Sequence, residues 1–312
     1  MYDQIGKVSF VIPCYRSENT IETVVNEIRG ISVKLGINDY EIILVNDCSP
    51  DEVWQVIKKI AETDSRVGGI SFAKNFGQHA ALLAGYAKAT GDVIVSLDDD
   101  GQIPLDELNL LLEKFCEGYD VVYAYYDEAK RTGFRLFGTY MANKMGEIML
   151  GIPPTIKGSS FYVARRFITD EMIRYSHPYP YLAGLVFRTT KNVACVKTHH
   201  RARLEGKSGY SFKSLLSLWI NGFTAFSVKP LELGTYVGAA AAVIGFFYAI
   251  ITIIRKILNP EMVAGWASMI SVQLVIGGLI LIMLGLIGEY VGRIYICIND
   301  APQYVIKEKT GE

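Results

Sequence analysis

The stretch VIVSLDDDGQIP, Val93 to Pro104, decides the reading of this chain. An apolar run of strand-like composition ends in three consecutive aspartates, Asp98, Asp99 and Asp100, followed by Gly101 and Gln102. Three like charges at the tip of a buried strand repel one another unless something relieves them. Asp98 and Asp100 are spaced as D-x-D, so two carboxylates can converge on one ion. Hard cations such as Mg2+ or Mn2+ take oxygen ligands, often one or two carboxylates with substrate phosphates completing the shell. A carboxylate pair sharing a proton is a second reading of the same residues. A solvated turn at Asp100-Gly101, with Asp106 in the first turn of the next helix, is a third.

The surroundings favour the ion. KVSFVIP, YEIILVN, GGISFA, DVIVSLD and YDVVYAYY read as strands, and TIETVVNEIRGISVKL, DEVWQVIKKIAET, QHAALLAGYAKAT and LDELNLLLEKF between them have helical spacing. Strictly alternating elements with apolar strands predict an α/β domain, a mostly parallel sheet covered by helices on both faces. Ligands bind such sheets at the carboxyl ends of the strands. Four polar tips therefore share one rim: Pro13-Cys14-Tyr15, Asn46-Asp47, Lys74-Asn75-Phe76-Gly77 and Asp98-Asp99-Asp100. Further on, GSSFYVARR (158–166) reads as a strand entering a helix. The aromatic stretch 175–187 fits either a membrane-facing or acceptor surface or a core segment, and His79 reads as a helix-terminus contact.

The C-terminal third has a different composition. Leu233 to Ile254 carries no charge over 22 residues, and Met262 to Gly288 none over 27. Each run exceeds the roughly 20 residues needed to span a bilayer core, and neither has the polar face of a soluble helix. Two spans make a hairpin whose flanks share a side, and Arg201, Arg203, Lys207, Lys213 and Lys229 before it outnumber Arg255 and Lys256 in the connecting loop. That bias puts the N-terminal part in the cytoplasm, at the inner membrane. SFKSLLSLWINGFTAF, just before the first span, has an apolar stripe beside basic residues, as an interfacial helix does. The expected organisation is a catalytic domain over 1–210, a juxtamembrane amphipathic segment over 211–230, two transmembrane helices within 231–290 (about 233–254 and 266–288), and a cytoplasmic tail over 291–312. Formal net charge is -1, which gives no overall attraction to nucleic acid. The opening MYDQIGK and a short first apolar run lead us to expect no signal peptide. Five cysteines without CxxC spacing fit a reduced setting with neither disulfides nor zinc, and His199-His200 has no third ligand nearby in sequence.

Taken in order, FVIPCYRSE, EIILVNDCSPD, KNFGQHAALLAGYAKATGDVIVSLDDDGQIPLDEL, GSSFYVARR, HHRARLEGKSGYSF and the closing GEYVGRIY resemble family 2 inverting glycosyltransferases with the GT-A fold. Within them the chain looks like the membrane-bound branch that charges polyprenyl phosphate with a sugar, such as dolichol-phosphate mannose synthases, bactoprenol glucosyltransferases and undecaprenyl-phosphate aminoarabinose transferases. The resemblance implies a Rossmann-like GT-A domain plus a C-terminal two-helix transmembrane hairpin, a nucleotide-sugar donor with UDP favoured, and undecaprenyl phosphate as acceptor. It implies that Asp98 and Asp100, assisted by Gln102, hold Mg2+ or Mn2+ and the donor diphosphate, with Asp100 catalytic. Pro13, Tyr15, Asn46, Asp47, Asp98 and Asp99 would form the nucleotide-sugar site. The strand-tip signature usually reads D-A-D-L-Q, so Asp99 is an extra charge, and Asn46-Asp47 replaces the usual pair of aspartates. Ser17, followed by Glu18, stands where the family has a glutamate.

A phosphate monoester acceptor is already largely ionised near neutral pH, with a second pKa of about 6. It needs cations to hold it more than a base to activate it. Arg135, on a basic arm after the fifth strand, and Arg203, Lys207, Ser208 and Tyr210 are the candidates; Arg203 is the second catalytic candidate. Arg203, Gly206, Ser208 and Tyr210 match the family's R-x-x-G-x-S-x-Y loop. Arginine grips phosphate oxygens in two places, which lysine does not; attraction to an anionic membrane surface is the competing role for each of these basic residues. Ser159-Ser160 stands where lipid-phosphate members often carry an acid, which leaves the general base unassigned. The resemblance also points to a homo-oligomer, and to a flippase and a downstream transferase as partners. Two rival readings stay open: a same-fold transferase with a glycolipid or glycan acceptor, although the Q-x-x-R-W motif of processive synthases does not occur here, and an inactive membrane scaffold.

Overall fold

The computed structural model describes residues 5–126, 144, 147, 151–178, 180–199, 229–258, 265–299 and 301–310. Two compact units emerge, one holding residues 1–222 with 301–312 and the other 223–300.

The first unit is built on an eight-stranded sheet. β1 (Val8–Cys14), β2 (Tyr40–Asn46), β3 (Val67–Phe72), β4 (Val93–Ser96), β5 (Val121–Tyr126), β6 (Tyr162–Arg165), β7 (Val193–Thr198) and β8 (Ile306–Lys309) run in the order β7-β5-β6-β4-β1-β2-β3-β8. β1 pairs in parallel with β2 and β4, β2 with β3, and β5 with β7. Only β6 and β8 run against the rest. The expected strands all form. β1 is buried along its whole length, as a central strand covered on both faces must be.

Helices α1 (Ile21–Leu35), α2 (Val53–Thr63), α3 (Gln78–Lys88), α4 (Leu108–Cys116), α5 (Arg166–Ile173) and α6 (Leu182–Thr189) cover the sheet. α1 shows how locally the sequence writes this. Ile21, Val24, Val25, Ile28 and Ile31 recur at helical spacing and are buried. Gly36 then ends the helix at φ 72°, returning its amide to Ser32 and Val33 carbonyls. α3 approaches the sheet closely because Gly85 has no side chain where a Cβ would meet Val11. Each fully buried Ile or Val of this core contributes about 1.5–3 kcal/mol. Within the aromatic stretch 175–187, α6 buries Leu182, Gly184, Leu185 and Val186, whereas Ser176 and His177 are exposed and Tyr175, Tyr181 and Phe187 are half-buried.

The second unit contains two long helices, α7 (Lys229–Leu258) and α8 (Trp266–Ile298). Both are long and apolar enough to cross a membrane, over Gly234–Arg255 and Val275–Ile298. α8 runs past the expected end near residue 288, because Glu289 interrupts the hydropathy but not the helix. The following segment is not a plain tail: β8 pairs antiparallel with β3, through Ile70 with Lys309 and Ser71 with Glu308. The juxtamembrane segment read over 211–230 lies almost wholly outside the described residues.

Candidate active site

The carboxyl ends of β1, β2, β3 and β4 meet on one rim, and their polar tips are tied together by hydrogen bonds. Asp47, at the end of β2, is buried with its carboxylate accepting the amides of Phe76 at 2.7 Å and Gly77 at 2.8 Å. Gly77 has φ 91°, a conformation a side chain disfavours, and α3 starts at the next residue. Burial pushes the Asp47 carboxyl up from its ordinary value, and the two amides partly offset it.

The three aspartates face different partners. Asp98 accepts Gln78 Nε2 at 2.7 Å on one oxygen and the Ser160 hydroxyl on the other. Asp99 turns inward, accepting the Tyr15 amide at 2.8 Å, while its backbone carbonyl takes the Thr20 hydroxyl at 2.6 Å. Burial raises the Asp99 carboxyl to about 6; the Asp98 charge adds to this, while Ser17 and the Tyr15 amide oppose it. Asp100 accepts the Gln102 amide at 3.1 Å, which folds Gln102 back over the turn. Tyr126, at the end of β5, is pushed up to about 12 by burial, with the charges of Asp98, Asp100 and Glu107 adding. The aspartates therefore project a shared negative field across the rim.

Other expected residues fall as follows. Pro13 is a buried strand residue paired with Val45. Tyr15 is 44% exposed, and the Arg16 guanidinium lies over its ring, 5.5 Å from the centroid. Asn46 donates Nδ2 to Ser71 at 3.0 Å and accepts the Ser49 amide at 2.9 Å, so its carboxamide ties the ends of β2 and β3 together. Glu18 accepts the Glu52 amide at the start of α2 at 2.8 Å. His79 is held by the Pro180 carbonyl at 2.9 Å, and burial lowers its pKa. Arg135, Arg203, Lys207, Ser208 and Tyr210 lie outside the described residues.

Sequence reasoning missed four contributors. Gln78 and Ser160 fix Asp98 from α3 and from the approach to β6, and Tyr126 faces the same charges. Glu107 binds both the backbone amide of His199, at 2.9 Å, and its ring, so the end of β7 is pinned beside the aspartate loop. The glycine before Gln78 was the available signal for the first, and Ser160 was marked only as standing in place of an acid; no local signal marked Tyr126 or Glu107.

Among the described residues, no three His, Cys, Asp or Glu side chains gather to hold an ion alone. The residues still fit a divalent ion shared with a diphosphate: Asp98 and Asp100 flank one turn, their charges act together on Tyr126, and all donors are oxygens. This donor set is incomplete until phosphate oxygens join it.

Comparison with solved structures gives the class. Glucosyl-3-phosphoglycerate synthase from Mycobacterium tuberculosis, in complex with phosphoglyceric acid, superposes with a TM-score of 0.53 at 20% identity, over 71% of this chain and 79% of that one. A second structure of that protein, with Mn2+, uridine diphosphate and phosphoglyceric acid, gives 0.53 at 21% identity, over 70% and 76%. The fold is of the GT-A type. Residues 9–173 match Glycosyl transferase family 2, and residues 229–294 match the GtrB C-terminal hairpin. The uncharacterized glycosyltransferase YkcC of Bacillus subtilis (strain 168) is 34% identical over 97% of this chain and 94% of its own length. The undecaprenyl-phosphate 4-deoxy-4-formamido-L-arabinose transferase of Enterobacter sp. (strain 638) is 32% identical over 98% and 94%. This chain belongs to glycosyl transferase family 2.

Proposed function

We propose that the protein transfers a sugar from a nucleotide-sugar donor, with UDP favoured, to undecaprenyl phosphate at the cytoplasmic face of the inner membrane. The observation that carries this reading is the pairing, in one chain, of an aspartate-rich GT-A rim with an apolar helical hairpin. The Enterobacter relative named for undecaprenyl phosphate aligns with almost the whole of it. The return of β8 to the sheet supports an even number of crossings, because both flanks of the helix pair lead into one domain. Uridine diphosphate and Mn2+ in the solved neighbours support the donor and ion classes.

In this reading Tyr15 stacks on the base and Asp47 lines the nucleotide site from a loop it holds rigid. Asp98 and Asp100, with Gln102, would hold Mg2+ or Mn2+, which would stabilise the charge on the departing diphosphate. Gln78 and Ser160 aim the Asp98 carboxylate, so it does not have to reorganise when the donor binds. An acceptor phosphate oxygen attacks the anomeric carbon, the bond to the nucleoside diphosphate breaks, and configuration inverts. Because that phosphate arrives ionised, no side chain has to remove a proton, which agrees with a serine at position 160. Arg203, Arg135 and Lys207, with Ser208 and Tyr210, are the groups proposed to hold it. A flippase and a downstream transferase would then consume the lipid-linked sugar.

The test is transfer of radiolabelled sugar from UDP-, GDP- and dTDP-sugars to undecaprenyl phosphate in detergent, with Mg2+ or Mn2+ and with EDTA. An organic-extractable product that EDTA abolishes is expected. Donor consumption only with a glycolipid or glycan acceptor would overturn the acceptor assignment.

A further inference from the structure

The segment that follows the second apolar helix reaches the active-site rim through three aromatic rings. Gln303 Nε2 fixes its approach by donating to the Tyr175 carbonyl at 2.8 Å and the His177 carbonyl at 3.0 Å. Tyr304 then lies flat on Phe72, with ring centroids 5.3 Å apart and planes 11° from parallel. Phe72, the last residue of β3 and only 1% exposed, meets Phe76 edge-on at 5.6 Å and 85°. The amides of Phe76 and Gly77 are the two donors to Asp47. Backbone bonding runs the same way: Ala73, the first residue of the loop, donates to the Val305 carbonyl at 2.9 Å. Past the strand, Trp54 Nε1 donates to Glu308 at 2.8 Å, the Gly69 amide to the Thr310 hydroxyl at 2.8 Å, and Lys88 Nζ to the Thr310 carbonyl at 2.9 Å.

We propose that Tyr304 is a positioning residue for the donor site: its stack on Phe72 sets the 73–78 loop, and through it the Asp47 carboxylate that lines the nucleotide. This rests on the reading of Asp47 as part of that site. The plainer role of β8 is to cover the exposed edge of β3 against pairing with another chain. Hydrogen bonds at Gly69 and Ser71 suffice for covering an edge. They do not call for an aromatic ring at residue 304 against the last residue of β3, where the loop to α3 begins. The loop contains a glycine at positive φ and is held at its ends by Ala73 on Val305 and Gln78 on Asp98, and in its middle by Asp47; the Phe72 and Phe76 rings add the packing that sets how Phe76 and Gly77 present their amides to Asp47. Membrane attachment and donor binding are thereby joined in one short segment, since only residues 299–303 separate the end of α8 from Tyr304.

Tyr304→Ala and Tyr304→Phe, made in the full chain in detergent, separate these roles. Amide hydrogen exchange of the peptide covering residues 73–78 is measured without ligand, and UDP, GDP and dTDP binding is measured with Mn2+. In Tyr304→Ala, exchange of that peptide rises several-fold, and affinity for the nucleotide the wild type binds falls about three- to tenfold, the range expected from one aromatic pair. KM for the donor rises with it while kcat changes little. Tyr304→Phe, which keeps the stack, restores both. Unchanged exchange at 73–78, or a uniform rise across the whole sheet, would overturn the inference. Raised exchange with unaltered nucleotide affinity would overturn the reading of Asp47 and the inference with it. A wild type that binds none of the three nucleotides would overturn the donor-site reading itself.

Discussion

Asp64 and Asp99 lie at opposite ends of one sheet and are held in opposite ways. Asp64 precedes β3 at its amino end and is bonded by Arg66 at 3.0 Å and Arg29 at 3.0 Å, which draws its carboxyl down to about 2. Asp99 follows β4 at its carboxyl end, where burial and the neighbouring Asp98 raise its carboxyl to about 6. The chemistry of the two side chains is the same; what differs is whether the fold itself supplies the countercharge. At the Asp64 end the chain neutralises its own acids and gains stability. At the Asp99 end it concentrates acids and leaves much of the relief to whatever binds. A rim of that kind is costly to fold, and the proposed cation with its phosphates would relieve it.

The largest expected effect breaks the functional end. Asp100→Ala should lower sugar transfer by roughly 10²–10³-fold, the usual cost of removing a group that supports charge in the transition state. Thermal stability should hold or rise, because a like charge has been removed from Asp98 and Asp99. Turnover unaffected by this change, measured with saturating donor and Mn2+, would sink the ion-binding assignment of Asp98 and Asp100.

A second prediction turns on burial. Ile12 in β1 is 0% exposed, whereas Ile244 in α7 is 70% exposed. Ile12→Ala should cost about 2–5 kcal/mol through the cavity it leaves. Ile244→Ala should cost well under about 1 kcal/mol in detergent, because its side chain is mostly exposed among the described residues. Ile244→Arg should instead impair membrane insertion, by about 2.5–3.5 kcal/mol if the residue sits near the bilayer centre. Thermal unfolding in detergent and the membrane-bound fraction in cells measure the two. Equal losses for the two alanine variants would mean that α7 packs within the protein and faces no lipid.

This contrast marks what was legible in the sequence. Strands β1 to β5 and both long helices announce themselves because long or strand-length runs of apolar residues must be covered, by a sheet's neighbours, by a packed core or by a bilayer. The rim was legible too, since each polar tip follows directly on its strand. What local pattern does not carry is pairing between distant segments. Ile306-Lys307-Glu308-Lys309 has no strand-like alternation and becomes β8 only because β3 offers an open edge. Ser160 and Asp98 meet across 62 residues, and no local pattern announces that Asn46 bonds Ser71 and Ser49. Residue type gave the chemistry of the rim, and topology decided which of its groups face inward.

A third prediction sharpens the comparison at the functional end. Asp99→Asn keeps an oxygen to accept the Tyr15 amide and removes a partly buried charge beside Asp98. At pH 7 the variant should be about 1–2 kcal/mol more stable than the wild type, since the desolvated charge is lost while a hydrogen-bond acceptor remains. Loss of stability in urea or thermal unfolding would mean that the Asp99 charge is compensated in the free protein.

The smallest effect lies at the opposite end. The Asp64 carboxyl is lowered from its ordinary 3.8 to about 2, so the unfolded chain takes up its proton before the folded one does. Its contribution is therefore complete above about pH 4 and is lost as pH falls toward 2. A shift of that size would correspond to roughly 2–3 kcal/mol in a dry site. Arg29 and Arg66 are 31% and 48% exposed, so solvent screening reduces it to about 1 kcal/mol or less. Asp64→Asn should lower the melting temperature by roughly 1–4 °C at pH 7, by less in high salt, and hardly at all near pH 2. A difference that persisted unchanged to pH 2 would trace to lost hydrogen bonds instead of charge. The contrast between the two ends of the sheet would then be one of packing, and the idea that only one end neutralises its own acids would fail.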